Sequence, residues 1–168
     1  MKLTRATLVP LVIAACAATA FAGKPQVLRI GAMELTYDGA RWQAEPNGDS
    51  EAIMNPVGKA AGKLDPVQIK WARASQDCEA LARQQLWQSM YEDPVAAPVE
   101  VAGIQGQRFS AQPRCRNAMP DGVVICIQHG GSAYMLVSTQ PGCRSGAKNL
   151  FTGTDPLADL VGELRFAP

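Results

Sequence analysis

The chain has 168 residues, 47% of them hydrophobic, and its 16 lysines and arginines against 15 aspartates and glutamates give a formal net charge of +1. That balance argues against a nucleic-acid partner, which would call for a strongly basic face, and it shows no acidic excess either. A chain of this length normally makes one domain, buries roughly 68 to 70% of its unfolded surface, and needs no metal to hold it together.

The first residues, MKLTRATLVPLVIAACAATAFAG, place Lys2 and Arg5 ahead of an apolar run that ends in small residues. This is the layout of a secretory signal peptide over 1–22, with cleavage expected after Ala22. The run contains Pro10 and Thr19 and meets Gly23-Lys24 early, whereas a span needs about 20 predominantly apolar residues. Ile13-Ala14-Ala15-Cys16 also matches a short lipobox. Acylation of Cys16 is the alternative to simple cleavage and would tether an otherwise soluble fold to a membrane. Removing 1–22 leaves 14 basic and 15 acidic side chains, a net charge of −1.

Short extended stretches follow: VLRI at 27–30, MELTY at 33–37, RWQAE at 41–45 and SEAIMN at 50–55. Asp38-Gly39 between the second and third predicts a hairpin, and Pro46-Asn47-Gly48-Asp49 a further turn. Residues 56–66 read as an exposed loop. In VQIKWARA at 67–74, Val67, Ile69 and Trp71 alternate with Gln68, Lys70 and Ala72, the pattern of a half-buried strand.

Ser75 or Asp77 is positioned to cap a helix through 78–90, with Cys78, Leu81, Ala82, Leu86 and Met90 on one face and Asp93-Pro94 as its end. PVAAPVE at 94–100 reads as a loop, and 99–111 as a strand bent at Gly103 and Gly106. VVICIQ and AYMLVST flank His129-Gly130-Gly131-Ser132 and predict a two-residue hairpin that pairs His129 with Ser132, Ile127 with Tyr134, Ile125 with Leu136 and Val124 with Val137. Its apolar faces require cover on both sides of the sheet, from helices on one side or both. Pro156 then opens a terminal helix carrying Leu157, Leu160, Val161 and Leu164. The expected fold is α+β: a single, mostly antiparallel sheet with a central and a C-terminal helix, forming one domain over 23–168.

Four cysteines remain after cleavage: Cys78, Cys115, Cys126 and Cys143. In an exported chain an even number indicates two disulfides. Three connectivities are open; strand directions favour Cys115 with Cys143 and Cys78 with Cys126. No Cys-x-x-Cys is present, so neither a zinc site nor a thioredoxin-like redox centre is expected.

His129 is the only histidine. His-Gly-Gly resembles an esterase oxyanion segment, but Gly-x-Ser-x-Gly is missing, and the stretch is better read as a hairpin tip. Glu92-Asp93 and Asp49-Ser50-Glu51 are carboxylate pairs that a small hydrolase could use, and they read more simply as turn residues. No phosphate-cradling, dinucleotide or His-Glu-x-x-His motif occurs, so no cofactor is expected.

Arg114, Arg116, Arg144 and Lys148 flank the cysteines of the expected Cys115–Cys143 bridge. Together they would form a basic rim for an acidic protein surface or an anionic envelope component, or serve simply as solvated loop charges. Trp42, Trp71, Trp87, Tyr37, Tyr91 and Tyr134 could line a binding cleft. For most of them core packing is the simpler reading, Trp71 and Tyr134 lying on apolar strand faces, whereas Trp87 lies off the apolar helical stripe and is the best aromatic contact candidate.

The order of elements, with YDGARW, VEVAGIQGQRF, VVICIQHGGSAYMLVS and PLADLVGELRF as local cues, resembles the PsbP-like fold. That resemblance implies a small extracytoplasmic accessory protein that works by binding and transfers no catalytic residues. The sequence therefore leads to an exported, non-enzymatic binding protein of the bacterial envelope, periplasmic or secreted. A secreted inhibitor or immunity protein against a toxin or lytic enzyme is the second expectation, and a small hydrolase the third.

Overall fold

The computed structural model describes residues 23–31, 33–61, 64–73, 77–114, 121–139, 156–162 and 164–166. The expected signal peptide and Cys16 lie outside them.

Among the described residues, ten strands form two sheets, where the sequence reading expected one. β1 (Pro25–Ile30), β2 (Met33–Asp38) and β10 (Leu164–Phe166) make a three-stranded sheet in the order β1-β2-β10. β3 (Trp42–Asn47), β4 (Glu51–Pro56), β5 (Val67–Arg73), β6 (Val95–Val101), β7 (Ile104–Ala111), β8 (Gly122–His129) and β9 (Ser132–Ser138) make a seven-stranded sheet in the order β3-β4-β5-β9-β8-β7-β6. All the strand pairs are antiparallel. α1 (Cys78–Gln85) and α2 (Pro156–Val161) complete the architecture, with one turn of 3-10 helix at Gly58–Ala60.

The division into two sheets follows from the use made of Asp38-Gly39. The expected hairpin there does not form. Asp38 Oδ1 accepts the Ala40 N–H at 2.9 Å and the Asp38 carbonyl accepts the Arg41 N–H at 2.9 Å. This turn, closed by the aspartate side chain itself, carries the chain from one sheet to the other. The first hairpin is instead β1–β2, closing at Ile30↔Met33 with Gly31 at φ +58°.

β8 and β9 sit centrally and are buried on both faces. Val123, Ile125, Ile127, Tyr134 and Leu136 join Leu28, Ile30, Met33, Leu35 and Tyr37 of the small sheet and Leu157 and Leu160 of α2 in one core. Val124, Cys126, Ala133, Met135 and Val137 join Leu81, Ala82 and Leu86 in the other. A helix therefore covers one face, and a sheet with α2 covers the other. Burying each Leu-sized side chain contributes roughly 1.5–3 kcal/mol, so these two layers dominate the fold energetically. The β8–β9 register matches the sequence reading at His129↔Ser132, Ile127↔Tyr134, Ile125↔Leu136 and Val124↔Val137. Gly130 and Gly131 supply the positive φ values, 57° and 72°, that the tight turn demands.

Three further expectations are corrected. Residues 94–100 are not a loop: β6 pairs with β7 through a two-residue turn at Ala102-Gly103, both at positive φ. α1 stops at Gln85 and does not run on to Met90, for packing reasons given below. The terminal helix stops at Val161, and Leu164 belongs to β10, paired with Leu35.

Each long edge strand carries a proline whose ring replaces an outward-facing N–H. Antiparallel residues alternate between bonding their partner and directing N–H and C=O away from it. Closure at Val101↔Ile104 makes Pro98 of β6 outward-facing. The Val57 N–H to Arg41 carbonyl bond does the same for Pro46 of β3, and the Gly39 N–H to Lys24 carbonyl bond for Pro25 of β1. Proline is tolerated at such positions and interrupts the donor row that a second strand would need.

Among the described residues, one disulfide links Cys78 to Cys126, as the strand directions suggested. Cys115 and Cys143 lie outside the described residues.

Candidate functional site

The segment between α1 and β6 is built around Gly122. Asp77 caps α1 by accepting the Ala80 N–H on Oδ1 at 2.7 Å. Leu86 closes it with φ −94° and ψ 78°, a conformation no helix continues. Leu86 and Tyr91 are both buried, and a Cβ on Gly122 would lie 2.6 Å from Leu86 Cδ2 and 2.6 Å from Tyr91 Cε1. Both side chains thus occupy the space that the glycine leaves. Five residues apart on a continuous helix they would diverge by roughly 140° around the axis, given 3.6 residues per turn. The helix therefore breaks, and the chain arcs out between them.

Trp87 lies at the start of that arc. Its carbonyl accepts the Met90 and Tyr91 N–H groups at 2.8 and 2.9 Å, while its side chain is 46% exposed, unlike buried Trp42. The returning chain then pairs with 112–114: Tyr91 bridges Pro113, the Glu92 N–H donates to the Gln112 carbonyl at 2.8 Å, and the Arg114 N–H donates to the Met90 carbonyl at 2.8 Å. Arg114 Nε donates to the Gln88 carbonyl at 2.7 Å. The guanidinium is consequently fastened one residue from Trp87.

Arg83 on α1 supplies a second cation nearby in the chain, but it is partnered by Glu79 at 2.9 Å and Asp93 at 3.3 Å. The hydrogen bond to Glu79 raises its pKa further above the usual guanidinium value. Asp93 thus serves an ion pair, and Glu51 accepts from Asn47 Nδ2 at 3.3 Å.

Of the residues expected to form a binding rim, the fold ties Arg114 to the carbonyl of Gln88, the residue after Trp87; Arg116, Arg144 and Lys148 lie outside the described residues. Arg114 follows the end of β7 where Ala111 pairs with Gly122. His129 lies at the other end of β8, about 23 Å away along a strand rising roughly 3.3 Å per residue. The hairpin tip and the Trp87–Arg114 surface are separate places. Among the described residues no three His, Cys, Asp or Glu side chains cluster so as to hold a metal ion, and no helix is long and apolar enough to cross a membrane.

Apart from the Trp87–Arg114 surface, an open cavity of about 560 Å³ lies where the two sheets part. It takes Lys24 and Gln26 from β1 and its approach, Tyr37 from β2, and Trp42 and Ala44 from β3. Tyr37 and Trp42 are among the aromatic residues that the sequence offers for a cleft, yet nothing local shows that their strands belong to different sheets. No protein-family model matches the chain, and no curated protein is significantly similar to it.

Proposed function

We propose that this chain is an exported, non-enzymatic binding protein of the bacterial cell envelope, which contacts a macromolecular partner through Trp87 and Arg114. The observation that carries this reading is that one braced segment bears both groups: a half-exposed indole, and on the next residue the carbonyl that ties down a guanidinium by a 2.7 Å bond. Tryptophan and arginine are the residue types that dominate binding hot spots, because each buries much surface or forms directional bonds. A pre-ordered contact also loses less entropy on association. Arg116, Arg144 and Lys148, close in sequence to the cysteines, would extend the positive surface toward an acidic partner.

Export is part of the proposal. It rests on the 1–22 segment and is supported by the Cys78–Cys126 bridge, since disulfides persist in oxidising compartments. The resemblance to the PsbP-like fold, where accessory binding is the expected role, points the same way.

Affinity capture from envelope extracts tests the reading. The wild-type protein is expected to retain a specific partner that a Trp87→Ala, Arg114→Ala double variant of equal stability loses. Equal recovery by both proteins would contradict it.

A further inference from the structure

We propose that the mouth between the two sheets is a second binding site, specific for a small amphipathic carboxylate. Its floor is apolar and aromatic: Tyr37 and Trp42 are buried, and Ala44 and Val57 half-buried. Its rim is polar, with Lys24 and Gln26 exposed. Among the described residues Lys24 is the single charged residue lining the cavity, with no carboxylate beside it, so the charge complementarity is to an anion.

Trp42 contributes packing to the floor: it is 1% exposed, and its indole N–H lies beneath the surface, out of reach from the mouth, so its resonance reports on a molecule seated above it without bonding that molecule. A volume of about 560 Å³ falls in the range of small-molecule sites, in which an apolar lining gives affinity and a few polar groups fix orientation. The arrangement suits a molecule with an apolar body on Tyr37, Ala44 and Val57 and a carboxylate at Lys24. This site is independent of the Trp87–Arg114 surface, and either can fail without the other.

The three indole ¹H–¹⁵N resonances provide the test, with the Trp42 signal identified by a Trp42→Phe variant or by sequential backbone assignment of the unmodified protein. Octanoate and phenylacetate are titrated alongside the uncharged octanamide and phenylacetamide. At least one carboxylate is expected to shift the Trp42 resonance saturably with a midpoint below about 1 mM. Its amide should bind more weakly, and Trp71, whose indole N–H is also buried without a partner, should stay unmoved as an internal control. A response to octanoate identifies a chain-shaped body and a response to phenylacetate a ring. Lys24→Gln should weaken carboxylate binding about threefold, the scale of an exposed ion pair. The proposal is overturned if neither carboxylate gives a saturable shift, if carboxylate and amide act alike, or if Lys24→Gln leaves the midpoint unchanged.

Discussion

Cys78, the first residue of α1, is bonded to Cys126 in the middle of β8 across 48 residues of sequence, with the two Cα atoms 5.6 Å apart. The bridge holds the N-terminal end of the helix on the central strand. Leu86 and Tyr91, seated over Gly122, hold its far end. α1 therefore lies fixed along β8, and Trp87 projects from a segment anchored at both sides.

Replacing both Cys78 and Cys126 by alanine should lower unfolding stability by about 2 to 4 kcal/mol, because closing a loop of this length removes much of the unfolded chain's freedom. Urea unfolding of the oxidised wild type and the double variant measures it. A loss below about 1 kcal/mol would show that packing alone holds α1.

Gly122→Ala should destabilise by about 1 to 3 kcal/mol, the usual effect of overpacking, since its Cβ would meet Leu86 and Tyr91 at 2.6 Å. It should also disturb Trp87, seen as altered tryptophan fluorescence in the folded state. A neutral result would mean that segment 86–91 can shift freely, and the ordered contact surface would lose its basis.

Gly31 and Gly130 separate two effects that are often confounded. Both have positive φ, 58° and 57°. A Cβ on Gly130 meets nothing within 4 Å, whereas one on Gly31 would lie 2.9 Å from Trp71 Nε1. Gly130→Ala should cost only the backbone strain of about 1 to 2 kcal/mol. Gly31→Ala should cost measurably more, because it also forces the small sheet away from β5. Equal losses in chemical denaturation would refute that close approach between the sheets.

Pro98→Thr should leave monomer stability almost unchanged while promoting self-association, since it restores an outward N–H in the middle of β6. β6 is exposed along most of its length, with Val95 72% accessible. Light scattering across a concentration series should show the variant associating where the wild type does not. Identical behaviour would mean that the edge is protected by other means.

These particulars show where local sequence was informative. The β8–β9 register was legible because Gly130-Gly131 permits one turn geometry and the apolar residues on either side match pair by pair. Asp77 was legible as a cap, its role depending on the three residues after it. Asp38-Gly39 misled because an aspartate can close a turn through its own side chain, and whether the flanking strands then pair is decided by the core each one faces. β6 was concealed because Pro98, alanines and valines look like a loop until the strand is known to be an edge. Leu164 continued the helical stripe of α2 equally well as it continues a sheet. At the candidate site, Trp87 was recognisable by its place off the apolar stripe of the helix expected over 78–90, although that helix ends before it. Its partnership with Arg114 depends on residues 90–92 pairing with 112–114, a tertiary event with no local signature.

The central claim is that this protein matures outside the cytosol and uses its thiols as braces for a binding scaffold. Intact mass spectrometry of the protein recovered from the envelope fraction, before and after reduction, tests it most directly. The account predicts a chain beginning at Gly23 that resists alkylation until reduced and then gains two hydrogens for each of two bridges. A product that retains residues 1–22 and alkylates at Cys78 and Cys126 without reduction would contradict it.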